Sequence, residues 1–221
     1  MRKILILTFI VLCNCSYGQV AIIKDKDGYT NVRKEPNINS KVIYKLKDSE
    51  VFIYEDSDTA ENSNWIAVNI FKNKFSIESG NDQLLLGYIH KSRLYPLEKL
   101  KAYNGNRFSF SYKLQKFDFE NKITNYDGKY VTKINGRRFY GTDGNIPKIQ
   151  VSQINASVDG KNINIPDVLF EDIFECDNDF VINKNKEDYI IHQWNSDGAG
   201  GYLIVWVLDK NKVKQRLIFI P

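Results

Sequence analysis

Phe108-Ser109-Phe110-Ser111-Tyr112-Lys113-Leu114 sets an apolar residue at every second position. Successive side chains of a strand point to opposite faces, so this period gathers Phe108, Phe110, Tyr112 and Leu114 on one buried face. Helical spacing is nearly absent from the rest of the chain. Short runs alternating apolar and polar residues, separated by Gly, Asn and Asp, recur on both sides of this stretch and predict an all-β protein.

Toward the C-terminus, Asn135-Gly136 and Asp159-Gly160 are dipeptides that accept positive φ, as tight hairpin turns require. They predict one hairpin between 130–134 and 137–140 and another between 149–158 and 161–165. In Tyr202-Leu203-Ile204-Val205-Trp206-Val207-Leu208 both faces are apolar, which marks a central strand covered on both sides. Strands at 189–194 and 213–220 flank it, and Lys210-Asn211-Lys212 turns the chain back. One short helix is expected after Pro166, where Asp167 caps a run that clusters Leu169, Phe170, Ile173 and Phe174.

Toward the N-terminus, the polar stretch 98–106, with Asn104-Gly105-Asn106, reads as a linker. Ahead of it, strands are expected at 20–23, 30–32, 41–46, 50–54, 65–70 and 84–89, a density that suggests a small barrel. The expected organisation is therefore a barrel over 19–97 and an antiparallel β domain over 107–221. Met1-Arg2-Lys3 followed by the apolar run from Ile4 to Leu12 reads as a secretory signal over 1–18, too short to span a bilayer. Ser16 and Gly18 place small residues for a cut before Gln19. The competing reading is a lipoprotein acylated at Cys13 or Cys15, although Leu12 and Asn14 precede those cysteines where a small residue is preferred.

Removal of that segment leaves Cys176 as the one cysteine, so stability has to come from buried apolar area. Lys and Arg number 31 against 27 Asp and Glu, spread along the chain. Such a balance points to no nucleic-acid partner.

Gly28-Tyr29-Thr30-Asn31-Val32-Arg33-Lys34-Glu35-Pro36 resembles the opening signature of bacterial SH3-like domains, in which Gly, Asn-Val-Arg and Pro recur at this spacing. Ser40-Lys41-Val42-Ile43 and Lys45-Leu46 resemble that family's second strand, Glu50-Val51 its third, Trp65 with Ala67-Val68 its fourth, and Gly87-Tyr88-Ile89-His90 with Arg93-Leu94 its close. Residues 71–83 form a longer insertion than compact members carry, expected as an exposed loop or extra hairpin. The resemblance implies an envelope-targeting or binding module, with a cell-wall peptide or glycan, or an envelope protein, as partner. Tyr29, Tyr54, Trp65, Tyr88 and Tyr95 are aromatics with polar tips, suited to contact sugars or peptide backbone, the alternative being that they fill the barrel core, as Trp65 and Tyr88 in particular are expected to do.

Signals for chemistry are weak. Cys176 lies between carboxylates in Glu175-Cys176-Asp177, which oppose formation of a thiolate, and reads as a packing residue. Asp25-Lys26-Asp27-Gly28 and Asp177-Asn178-Asp179 begin like calcium loops and do not continue as one, and His90 with His192 is too few for zinc. No metal and no cofactor is expected. The two most unusual strings are Gly141-Thr142-Asp143-Gly144-Asn145 and Asn195-Ser196-Asp197-Gly198-Ala199-Gly200-Gly201. They read as turns, or as a ligand loop in which Asp197 accepts hydrogen bonds. The expectation is a secreted or periplasmic binding protein without catalysis. The alternatives are an envelope hydrolase with a site around Asp143, Asp197 and His192, and a secreted interaction or inhibitor protein.

Overall fold

The computed structural model describes residues 20–55, 63–77 and 84–220. The expected signal segment and acylation sites lie outside them. The first region contains β1 (Val20–Ile23), β2 (Tyr29–Arg33), β3 (Val42–Lys47), β4 (Phe52–Glu55), β5 (Trp65–Phe71), β6 (Leu84–His90) and β7 (Leu94–Pro96). These join in one antiparallel sheet of order β3-β2-β6-β5-β4-β1-β7. It wraps a core of Ala21, Ile23, Val32, Leu46, Phe52, Ile66, Val68, Ile70 and Ile89. Alternation does the sorting: in β2, Thr30 and Val32 are buried while Tyr29, Asn31 and Arg33 face outward.

The second region holds β8 (Phe108–Lys116), β9 (Thr124–Asp127), β10 (Tyr130–Ile134), β11 (Ile149–Val158), β12 (Lys161–Asn162), β13 (Val181–Asn185), β14 (Asp188–Asn195), β15 (Tyr202–Leu208) and β16 (Val213–Phe219). They form a three-stranded sheet β12-β11-β8, a four-stranded sheet β13-β14-β15-β16 and the hairpin β9-β10. The chain is all-β among the described residues, its helical content confined to short 3-10 turns.

Two local expectations differ in detail. The helix after Pro166 is a 3-10 turn over Asp167–Leu169, followed by one α-type bond from Glu171 N–H to the Asp167 carbonyl. The Asn135-Gly136 turn forms, with φ of 51° and 74°, but its ladder stops at the Ile134–Arg137 bridge. Residues 130–134 pair instead with 124–127, through a two-residue turn at Gly128-Lys129. The chain beyond Arg137 leaves the hairpin because Tyr140 finds stronger partners: its N–H donates to the Asp172 carbonyl and its carbonyl accepts from Phe174 N–H.

The two regions share a core. β15 buries all seven residues, and its faces serve different layers. Tyr202, Ile204, Trp206 and Leu208 pack toward Phe108, Phe110 and Tyr112 of β8, where Trp206 Nε1–H donates to the Tyr112 hydroxyl at 2.9 Å. Leu203, Val205 and Val207 pack with Val20, Ile22, Val51 and Leu97 of the first region. β1 is likewise two-faced, Ala21 and Ile23 facing the first core and Val20 and Ile22 the shared one. Polar groups reinforce this seam: Gln215 accepts from Val51 N–H at 2.9 Å and donates to the Val51 carbonyl at 2.7 Å.

The described part of the insertion is docked rather than exposed. Lys74 and Phe75 carbonyls accept from the backbone N–H and the Nη1 of Arg216, and Ser76 is buried. Arg216 is itself 0% exposed, and its Nη2 donates to Asp172 at 2.5 Å. Asp172 also accepts from Arg137 at 3.1 Å, so a buried carboxylate lies between two guanidiniums. Such groups are held inside only when paired.

Candidate binding cleft

Outward-facing residues of β2 line a cleft of about 370 Å³ on the first region. Tyr29, Asn31 and Arg33 line it, with Asp25 and Asp27 from the preceding turn, Ile38 from the following loop, Trp65 at the start of β5, His90 at the end of β6 and Arg93 just after it. The period of two that buries Thr30 and Val32 is what brings these β2 side chains to one surface.

Local bonds build the walls. Gly28 closes the first turn at a φ of 76°, Asp27 N–H donates to Asp25 Oδ1, and Arg93 pairs with Asp25 at 3.3 Å. On the opposite side Arg33 Nη1 donates to the Ser40 carbonyl at 2.7 Å, and Ser40 Oγ accepts from Glu35 N–H. These bonds hold the loop that carries Pro36 and Ile38 against β2. Trp65 and His90 are register partners on β5 and β6, their rings edge to face at 5.8 Å. His90 Nδ1 accepts from Ser92 N–H, so in the neutral ring Nε2 carries the proton. The 2.8 Å contact between His90 Nδ1 and Ser92 Oγ belongs to this local cap.

Chemically the cleft offers aromatic surface, cations and acceptors in a small space. Tyr29 is 38% exposed, with Lys45 Nζ 4.6 Å from its ring centroid. Asn31 Oδ1 is buried and has no hydrogen-bond partner among the described residues. A buried acceptor left unpaired costs about 1–3 kcal/mol.

The sequence-derived candidates thus separate. Tyr29 and Trp65 come together in the cleft. Tyr54 is 8% exposed and belongs to the core of the first region, its other side lining a hollow with Tyr140 and Phe219 of the second region. Tyr88 is half-buried on β6 between Ala67 and Arg33 and does not line the cleft. Asp197 is exposed in the other region, at the start of the turn Gly198–Gly200. Asn31, Arg33, Arg93, Asp25, Asp27 and His90 were not among the ligand candidates. The outward period of β2 exposes the first two; the rest depend on where turns end.

The two unusual strings of the second region do meet. Ser196 Oγ donates to the Gly141 carbonyl at 2.7 Å, and a Cβ on Gly200 would stand 3.0 Å from Thr142 Cα. Gly141, at a φ of 118°, presses on the Phe174 carbonyl so closely that a Cβ would lie 2.3 Å from its oxygen. Both loops therefore pack backbone on backbone. His192 bonds Asn183 at 3.2 Å, and burial lowers its pKa to about 4, leaving a neutral ring near pH 7. Cys176 is buried with its Sγ 3.0 Å from the Tyr202 hydroxyl, and burial raises its pKa to about 12.

Among the described residues no group of three or more His, Cys, Asp or Glu is placed to hold a metal ion, and no helix is long and apolar enough to cross a membrane. Comparison with protein-family models, curated proteins and solved structures gives no match for this chain.

Proposed function

We propose that this chain is a non-catalytic binding protein of the bacterial cell envelope, exported to the periplasm or beyond, whose first region is an SH3-like module. Its ligand is a cell-wall peptide or glycan, held in the cleft between Tyr29 and Trp65. The observation that carries this reading is the convergence of those two aromatics with the Arg33 guanidinium in one cleft. Aromatic faces suit sugar rings and peptide backbone. The guanidinium suits a wall peptide's carboxylate.

Pelleting of the full chain with purified peptidoglycan tests it. Tyr29→Ala and Trp65→Ala are each expected to weaken capture by about 1–3 kcal/mol, the usual effect of removing an anchoring aromatic. Val32→Ala, at a fully buried position, lowers fold stability instead and serves as the contrast. Absence of pelleting by the unmodified chain, or capture unchanged in both aromatic variants, overturns the reading.

A further inference from the structure

A second concentration of exposed apolar area lies far along the chain from the cleft. Of the fifteen large apolar residues exposed among the described residues, six fall between 119 and 149: Phe119, Ile123, Tyr126, Tyr130, Ile146 and Ile149. Ile123 is 72% exposed and Phe119 50%. Ordinary surfaces carry such residues singly; clustering marks a surface that meets something.

Backbone bonds hold the contributing segments together. Phe117 N–H donates to the Lys148 carbonyl at 2.8 Å, which sets the end of β8 beside the start of β11. There Phe119, Ile146, Pro147 and Ile149 line an open hollow whose remaining lining includes Lys116 and Lys148 and no carboxylate. Tyr130 lies against Gly144, and Val131 N–H donates to the Gly144 carbonyl at 2.7 Å, so the β9-β10 hairpin adjoins the same surface. Beneath it Phe117 packs edge to face on Phe174, anchoring the patch to the fold.

Charge distinguishes the occupant. Residues 113–148 carry eight Lys and Arg against four Asp and Glu, a surplus equal to the net +4 of the entire chain. Lys116, Lys122, Lys129, Lys133 and Lys148 make no ion pair among the described residues. Apolar side chains flanked by Lys116 and Lys148 match an interface of acyl chains beneath anionic headgroups. A second copy of the chain would bring the same lysines face to face.

We propose that this face docks the protein peripherally on a bilayer rich in anionic lipid, with Phe119, Ile146 and Ile149 entering the acyl boundary and Lys116 and Lys148 meeting headgroup phosphates. The proposal is independent of the cleft. Cosedimentation of the full chain with vesicles of phosphatidylcholine containing about 30% phosphatidylglycerol, against phosphatidylcholine alone, tests it. Binding is expected to the anionic vesicles only, and to fall as salt rises. Lys116→Gln with Lys148→Gln is expected to weaken it about 25-fold, roughly fivefold per lysine. Phe119→Ser with Ile146→Ser and Ile149→Ser is expected to abolish it at unchanged circular dichroism. If that triple variant fails to fold, the lysine pair decides alone. No binding to anionic vesicles, equal binding to both vesicles, or binding indifferent to the lysine pair overturns the proposal. So does self-association that the triple variant removes in a chain that ignores vesicles, which assigns the face to a second copy.

Discussion

Gln215→Leu probes the seam between the two regions with little change of volume. The Gln215 amide satisfies both backbone groups of Val51, a residue with no exposure of its own. Leucine leaves that N–H and carbonyl buried and unpaired, at about 1–3 kcal/mol for each. The apolar side chain recovers up to about 2 kcal/mol of this by its own burial. With each group at the middle of that range, about 2 kcal/mol, the net expectation is a loss of about 2 kcal/mol, large against a typical total of about 5–15 kcal/mol. Urea unfolding followed by tryptophan fluorescence measures it: the midpoint should fall while the slope stays constant, because the surface exposed on unfolding is unchanged. Both wild type and variant should unfold in one transition, since Val20, Ile22, Val51 and Leu97 share a core with Leu203, Val205 and Val207. A loss below about 0.5 kcal/mol, the scatter of surface substitutions, would refute the reasoning. Two resolved transitions in the wild type would refute it too.

Acid should act through His192, whose folded pKa of about 4 lies below the ordinary 6.5. The unfolded chain then takes up the proton first, so stability falls as pH drops from about 6.5 to 4, by roughly 3 kcal/mol in all. His192→Gln, which keeps a polar group for Asn183, should lack this component; identical pH profiles for both proteins would contradict the burial argument. Cys176, with its thiol pushed up to about 12 by burial, should resist aromatic disulfide reagents at pH 8 in the native protein and react in urea. Peptide mass locates the label, and fast modification of native Cys176 would contradict its packing. Cys176→Ser should leave peptidoglycan capture unchanged.

Much of this architecture was legible where one residue's neighbours in sequence are also its physical environment. Phe108 to Leu114 alternates, and the strand it predicts buries Phe108, Phe110 and Tyr112 on one face. The Asp159-Gly160 turn carries the positive φ values, 51° and 76°, that its residue types allow. Asn135-Gly136 turned as its residues demand, yet its ladder was decided by partners distant in sequence, Asp172 and Phe174 capturing Tyr140. Gly128-Lys129, with glycine at the first turn position, was the overlooked signal for the hairpin that forms.

By itself, the order of residues determined the strand periods, the tight turns and the all-apolar character of Val20–Ile23 and Tyr202–Leu208, because those properties arise from φ preferences and side-chain alternation over a few residues. Only the tertiary structure decided what covers each face of those strands, that Gln215 pairs with Val51, that Arg216 fastens the insertion, and that Tyr29 and Trp65 share a cleft while Tyr54 enters the core. Each of these joins segments far apart in the chain, and such contacts form only where loop closure is repaid by burial and by satisfied polar groups, a balance that no local pattern encodes.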